Sequence, residues 1–248
     1  MNTISHPIVI KASGLAAGKG VIIPQSNDEA LVALREIMLD RKFGNAGKDV
    51  VIEEFLEGDE LSILTFSDGI TFKSMPPAQD HKRIYDGDKG PNTGGMGCYA
   101  PARIPSPSML DDIDKIILGP TFNGLRQEGN HQYTVSNNKA DYRPTGIPFT
   151  GMLFTGLMIT KSGPKVLEYN VRFGDPETQT LLPLLSEKTD LAEIMMACVE
   201  NRLEEVSIQV EPKSCVTVVT ASGGYPGPYR RGDEVHIGPP SDGRCFFP

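Results

Sequence analysis

The chain has 248 residues and a formal charge of −8, from 32 acidic and 24 basic side chains. That balance excludes wrapping a nucleic-acid backbone, which needs a basic face. Hydrophobic residues at 39% and charged residues at 23% exclude a disordered chain and fit one large or two small folded domains. No apolar run approaches the roughly 18 residues of a membrane span, and the opening MNTISHPIVIK lacks the parts of a signal peptide. Cys98, Cys198, Cys215 and Cys245 form no CxxC pair, and the four histidines are scattered, so reduced thiols in a cytoplasmic protein are expected. The 26 glycines and 20 prolines occur without repeats, which points to shaped loops of the kind that bind ligands.

In chain order, Ile8–Ile10 reads as a strand, followed by a glycine-rich turn and a second apolar run at Val21–Ile23. Ser26 with Glu29 makes a capping box for a helix over 28–41, its stripe formed by Leu31, Leu34 and Met38 and widened by Ala30 and Ile37. Val50–Leu56 and Glu60–Phe66 read as two strands of a hairpin-like pair. Residues 76–107 are long and irregular, which marks a functional or disordered stretch. A helix follows over 108–118, bent or ended by Pro120. Strands are expected at 149–160 and 164–171, a helix from the Asp190 cap to about Leu203, and a buried strand at Cys215–Ala221. The polar, asparagine-rich segment 130–146 has no period. Alternating strands and helices argue for α+β or α/β architecture.

Four constellations carry chemistry. Lys11, Gly14, Gly18, Lys19 and Gly20 combine point charge with backbone that can approach an anion, although the spacing fits neither a Walker A loop nor G-x-G-x-x-G. A glycine-rich hairpin with solvated lysines is the alternative. Glu53-Glu54-Phe55-Leu56, with Glu60 beyond, suits a nucleotide hinge: backbone at Phe55 or Leu56 for adenine, an acid for ribose. It also suits a solvated acidic turn. Asp80-His81-Lys82-Arg83 and the loop Asn92-Thr93-Gly94-Gly95-Met96 offer basic side chains and many N–H groups as an anion cradle, or form a plain surface loop. In Lys165–Arg172, strand period places Glu168, Asn170 and Arg172 on one face and Leu167, Tyr169 and Val171 on the other, read as core. A carboxylate and an amide oxygen suit Mg²⁺, and Arg172 suits a phosphate or carboxylate; an edge strand with one polar face explains the pattern equally.

Together and in this order, KASGLAAGKGV, VIEEFLEGDELS, PPAQDHKR, DGDKGPNTGGMG, GLMITKSGPKVLEYNVRFGDPETQ and TVVTASGGYPGPY resemble the ATP-grasp superfamily, and within it the glycinamide ribonucleotide synthetase family. PNTGGMG and NVRFGDPETQ are specific to that family; Ser13 stands where many members carry aspartate. The resemblance implies an α+β ATP-grasp fold, two subdomains clasping ATP. Residues 1–75 would be the lid subdomain, 76–205 the catalytic subdomain with an atypical insertion at 130–146, and 206–248 the start of a β-rich C-terminal domain.

It also implies the reaction: ATP-dependent ligation of glycine to 5-phosphoribosylamine through glycyl phosphate, in purine synthesis. Lys11, Gly14, Gly18, Lys19, Gly20, Glu53, Phe55, Leu56 and Glu60 would bind ATP. Asp80, Lys82, Asn92, Thr93, Gly94, Gly95 and Met96 would meet phosphoribosylamine. Glu168 and Asn170 would hold Mg²⁺ or Mn²⁺, and Arg172 and Asp175 would orient acyl phosphate and glycine. Small-molecule substrates are the expected partners, with no nucleic acid or membrane and a place in a multifunctional purine enzyme. Family members carry a domain before this region and a fuller one after it, so the chain is expected to be the middle of a longer protein. Joining Gly129 directly to Ile147 would restore the family's continuity, so 130–146 reads as a translated intron or gene-model error, or else as a real insertion. An ATP-binding piece without turnover and a different ATP-grasp carboxylate–amine ligase are the competing readings.

Overall fold

The computed structural model describes residues 7–14, 16, 20–128, 134–136, 139–141, 148–236 and 238. Gly18, Lys19, Cys245 and most of the segment 130–146 lie outside the described residues. The chain forms two compact units, one ending at Gly58 and one beginning at Asp59. Among the described residues, no helix is long and apolar enough to cross a membrane.

Among the described residues, the first unit is a three-stranded antiparallel sheet, one α-helix and a short 3-10 turn at Gly44–Gly47. Strands β1 (Ile8–Ala12), β2 (Val21–Ile22) and β3 (Val50–Glu54) stand in the order β2-β1-β3. Helix α1 (Asn27–Met38) starts where Ser26 Oγ accepts the Glu29 N–H at 3.2 Å, and the Glu29 carboxylate reaches back to the Gln25 N–H at 2.7 Å. Its buried face is Ala30, Ala33 and Ile37, packed with Ile8 and Ile10. Ala30 and Ile37 of the expected stripe are thus in the core and Leu34 packs at its edge, but the centre of the stripe was one residue out of phase: Leu31 is 63% exposed and Met38 41% exposed. Small side chains at 30 and 33 let the helix sit close on a narrow sheet, and a one-residue step turns the face by about 100°.

The second unit is built on a four-stranded sheet. Strands β4 (Asp59–Asp68) and β5 (Phe72–Ser74) are followed by short strands β6 (Gln79–Asp80), β7 (Arg83–Tyr85), β8 (Lys89–Asn92) and β9 (Gly97–Ala100). Helices α2 (Pro107–Ile113) and α3 (Gly119–Glu128) flank a π turn at Asp114–Leu118. Then come β10 (Thr134–Ser136) paired with β11 (Lys139–Asp141), β12 (Thr150–Thr160), β13 (Gly163–Asn170), α4 (Glu177–Leu181), α5 (Leu191–Val199) and β14 (Cys215–Val218). The large sheet has the antiparallel order β13-β12-β4-β5. Leu64, Phe66, Met152 and Phe154 pack on Leu181, Ile194 and Ala197, while Leu61, Ile63, Leu153 and Leu157 pack on Ile113, Ile117 and Leu118. With both faces covered, β4 and β12 are buried on both sides along most of their length, and β4 carries Ser62, Thr65 and Ser67 within that buried run.

Several expectations are corrected here. The expected hairpin of residues 50–56 and 60–66 does not form: β3 bonds to β1, and β4 bonds to β12 and β5. Two apolar strands joined by Gly58 say nothing of which partners complete their cores. Residues 76–107 are not irregular throughout; β7 pairs with β8, and β6 and β9 join β14 in a separate sheet. Pro120 does not end the helical path at 118: a π turn precedes it and α3 continues to Glu128. The π turn gives the Asp114 carbonyl the Gly119 N–H, and the Thr121 hydroxyl bonds the Ile117 carbonyl at 2.7 Å, so the missing proline N–H is absorbed. Helix α5 stops at Val199 because Asn201 takes a left-handed conformation (φ 55°). β14 is not a buried strand, since Val216 and Val218 are 66% and 75% exposed.

Candidate functional site

In the first unit, the antiparallel register sets Val9 opposite Glu53 and Lys11 opposite Val51. Lys11 and Glu53 are therefore diagonal neighbours on one face, and they form an ion pair at 2.6 Å. The Gly14 N–H donates to the Ala46 carbonyl at 2.9 Å, and the Gly20 carbonyl accepts the Ala12 N–H at 2.8 Å. A side-chain carbon on Gly14 would lie 2.5 Å from Ala46 Cα. These two glycines thus serve close chain packing whatever else they do. The Phe55 N–H donates to the Pro7 carbonyl at 3.2 Å, so of the expected hinge donors this one is engaged within the fold.

The second unit gathers most of the remaining candidates. Glu60 leads β4, Asp80 ends β6, and Lys82 follows it. Lys82 Nζ lies 3.1 Å from Glu60 Oε2. Burial pulls the Lys82 ammonium down, but Glu60, Glu168 and Asp80 outweigh it and hold its pKa above the ordinary value. Glu168 on β13 therefore acts on Lys82 from across the sheet. Asn170 Nδ2 lies 3.3 Å from Glu168 Oε1, so the two share a face as the strand period requires.

Beneath this group are two buried carboxylates. Asp80 is 7% exposed and Glu177 2% exposed. Ser62 Oγ donates to Glu177 Oε1 at 2.8 Å, whereas Asp80 Oδ1 is enclosed without a hydrogen bond. Burial first, then the charges of Glu177 and Glu60, push the Asp80 pKa up to about 7 against the opposing pull of Lys82. Gly95 lies directly over it: a side-chain carbon there would be 2.8 Å from Asp80 Oδ1 and 2.5 Å from Pro176 Cδ.

The loop Asn92–Met96 folds back on the Asp80–Lys82 strand. Thr93 N–H donates to the Lys82 carbonyl, Gly95 N–H to Thr93 Oγ1 and Met96 N–H to the His81 carbonyl. Gly94 N–H donates to the Tyr225 hydroxyl at 3.3 Å. The expected cradle of open N–H groups is thus corrected: each of these four donors has a partner within the fold. Arg172 lies past the end of β13 and donates to the Phe173 carbonyl, and Asp175 Oδ1 accepts from Gln179 Nε2 at 2.8 Å. The core reading of Tyr169 and Val171 fails, because they are 42% and 75% exposed. Tyr169 instead shares a hydrogen bond with the Thr121 hydroxyl at 2.8 Å. A bulge opposite Gly156 and Leu157 interrupts the strand period at Leu167.

Glu177 and Tyr225 had no role in the sequence reading. Glu177 is an acid opening a helix after Asp175-Pro176 and lies in the motif NVRFGDPETQ, which carried family resemblance but assigned it no chemistry. Tyr225 sits in a motif that carried family resemblance but no chemistry. For a divalent cation, the donors on this face are hard oxygens of exposed Glu168 and half-buried Asn170, and their chemistry fits Mg²⁺.

Comparison with known proteins gives the family and the fold. The family model for the phosphoribosylglycinamide synthetase ATP-grasp (A) domain matches residues 1–136 and 131–178, and the two matches meet inside the segment 130–146. A bifunctional purine biosynthetic protein of Schizosaccharomyces pombe is 58% identical over 95% of this chain and 27% of its own length. A phosphoribosylamine–glycine ligase of Synechocystis is 49% identical over 93% of this chain and 50% of its own. Among solved structures, phosphoribosylamine–glycine ligase from Thermotoga maritima is 36% identical, with TM-score 0.68 over 92% of this chain and 52% of that one. The chain thus spans between about a quarter and half the length of these relatives.

Proposed function

The chain belongs to the phosphoribosylglycinamide synthetase family and has its ATP-grasp fold, and from that premise we propose that it serves ATP-dependent ligation of glycine to 5-phosphoribosylamine. In this reading the glycine carboxylate oxygen attacks the γ-phosphorus of ATP and ADP leaves. The amine of phosphoribosylamine then attacks the carbonyl carbon of glycyl phosphate, and phosphate leaves with the C–O bonding pair. The observation that supports it most is the convergence of Glu60, Lys82 and Glu168, with Asn170 beside Glu168, above buried Asp80 and Glu177.

Phosphoryl transfer asks a protein mainly for positioning and charge neutralisation. Lys11, held by Glu53, would meet ATP phosphates, with Gly14, Gly18, Lys19 and Gly20 around it. Phe55, Leu56 and Glu60 would hold adenosine. Lys82, fixed by Glu60, stays charged and would face an anionic substrate group. Arg172 and Asp175 would orient glycine and its acyl phosphate. Glu168 and Asn170 would hold Mg²⁺, which when bound neutralises charge on the phosphates of ATP. The relatives' names, bifunctional or trifunctional purine biosynthetic proteins, support a place in a larger purine enzyme.

The test is ADP release by the purified chain with ATP, Mg²⁺, glycine and freshly made phosphoribosylamine. Release that requires both acceptor substrates supports the ligase. Glu168→Gln should abolish it while leaving the melting temperature unchanged, since Glu168 is exposed; normal turnover would sink the metal assignment. A melting temperature raised by MgATP without ADP release would leave a nucleotide-binding piece instead.

A further inference from the structure

The geometry points to the Tyr225 hydroxyl as a proton donor to the phosphate monoester of a sugar-phosphate ligand, at the Gly94–Gly95 turn. The inference rests on the family reading for its substrate class only. Its physical basis is the fate of the loop's own donors. Thr93 N–H is 2.8 Å from the Lys82 carbonyl, Gly95 N–H 3.0 Å from Thr93 Oγ1, and Met96 N–H 2.8 Å from the His81 carbonyl. Thr93 Oγ1 itself donates to the Lys82 carbonyl at 2.9 Å. An anion arriving at this turn meets backbone donors that are already engaged.

Tyr225 differs. Its oxygen accepts the Gly94 N–H at 3.3 Å, so its own proton points elsewhere, and no acceptor among the described residues receives it. An N–H···O–H chain ending on an anionic oxygen polarises along its length and strengthens each link. The tyrosine is also held in place. Tyr225 N–H donates to the Ser222 carbonyl at 3.1 Å, and its ring meets Tyr229 edge-on at 5.8 Å. Gly224, at φ 102°, brings the chain so near Pro228 that a side-chain carbon would lie 2.6 Å from the Pro228 carbonyl oxygen. The Val219 N–H donates to the Met96 carbonyl at 2.9 Å, and β14 pairs with β9 immediately beside the turn. The GGYPGPY loop is thus tied to the Asn92–Met96 loop through backbone and hydroxyl together.

Lys82 is matched by Glu60, and burial together with the charges of Glu177 and Glu60 holds the proton on Asp80 under Gly95 up to about pH 7, so below neutrality Asp80 adds little negative charge to that of Glu177. A neutral donor beside a charge-balanced pair suits a phosphate that must bind and leave. Sugar phosphate and nucleotide share this chemistry, and the experiment separates them.

The ¹⁵N-labelled full chain is titrated with ribose 5-phosphate, ribose, and MgADP, reading the Gly94 amide and the melting temperature. Ribose 5-phosphate should shift the Gly94 amide and raise the melting temperature; ribose should do neither. Tyr225→Phe should weaken ribose 5-phosphate about tenfold, as loss of one hydrogen bond to a charged group does, and leave MgADP affinity unchanged. The proposal is overturned if wild-type Gly94 does not respond, if MgADP rather than the sugar phosphate moves it, or if Tyr225→Phe binds ribose 5-phosphate like wild type. Tyrosine-dependent binding without ADP release would overturn the ligase reading and leave this one standing.

Discussion

The chain has two glycine-rich stretches with lysines close by, one in each compact unit, and they organise charge in opposite ways. Around Gly14 and Gly20 the charge is an ion pair near the surface: Lys11 and Glu53 side chains are 21% and 38% exposed. Around Gly95 the charge is beneath the backbone, in Asp80 and Glu177. In both places glycine is needed because another group occupies the space of a side chain. At Gly14 that group is Ala46, and at Gly95 it is Pro176 and a carboxylate. Glycine density thus marks close approach, and the nature of the approaching group decides the chemistry.

The strongest way to break this comparison is pH. Asp80 holds its proton to about pH 7 when folded, whereas an unfolded aspartate loses it near pH 3.9. Between those values the folded state binds more protons, so stability falls as pH rises from about 4 to about 7 and is level above. The full loss is about 4 kcal/mol. Asp80→Asn should abolish the Asp80 part of that fall and be more stable than wild type above about pH 7, read from urea midpoints. If the two proteins follow parallel curves, Asp80 is ionised in the fold and the contrast fails.

A smaller effect comes from the glycines themselves. Gly95→Ala combines a positive φ of 134° with contacts at 2.5 and 2.8 Å, and should cost about 3 kcal/mol. Gly14→Ala meets only the overpacking against Ala46 and should cost about 2 kcal/mol. Equilibrium unfolding ranks them; the reverse order would mean that the loop over Asp80 yields more readily than the first unit's loop. The smallest effect is Lys11→Met, which removes a partly solvated ion pair and should change stability by less than about 1 kcal/mol. A larger loss would show that this pair is shielded as Asp80 is.

The strand reading shows where sequence patterns inform and where they stop. Glu168 and Asn170 share a face because strand period is a local property, and the structure keeps them 3.3 Å apart. Tyr169, on the opposite side, was expected in the core and is 42% exposed. Period tells which residues share a side; only what packs on that side tells whether it is core. The same limit centred the α1 stripe on Leu31 and Met38, whereas the buried face is Ala33 with Ala30 and Ile37, the two residues expected at its margin. The helix caps, by contrast, were legible at Ser26, a capping box with Glu29, and at Asp190, a simple N-cap, because the bonds that define them span a few residues.

By itself, the sequence determined the alternation of strands and helices, the caps, the polar face of β13 and, through its ordered motifs, the family and its α+β fold. These depend on neighbours within a turn or a strand, or on residue types held in order along the chain. Tertiary structure alone decided that β4 pairs with β12 rather than β3, that the N–H groups of Thr93–Met96 are engaged, and that Asp80 and Glu177 are buried. Tyr225 touches Gly94 across 131 residues of sequence. Such contacts arise from which surfaces exclude water together, and that is settled only when the whole core closes.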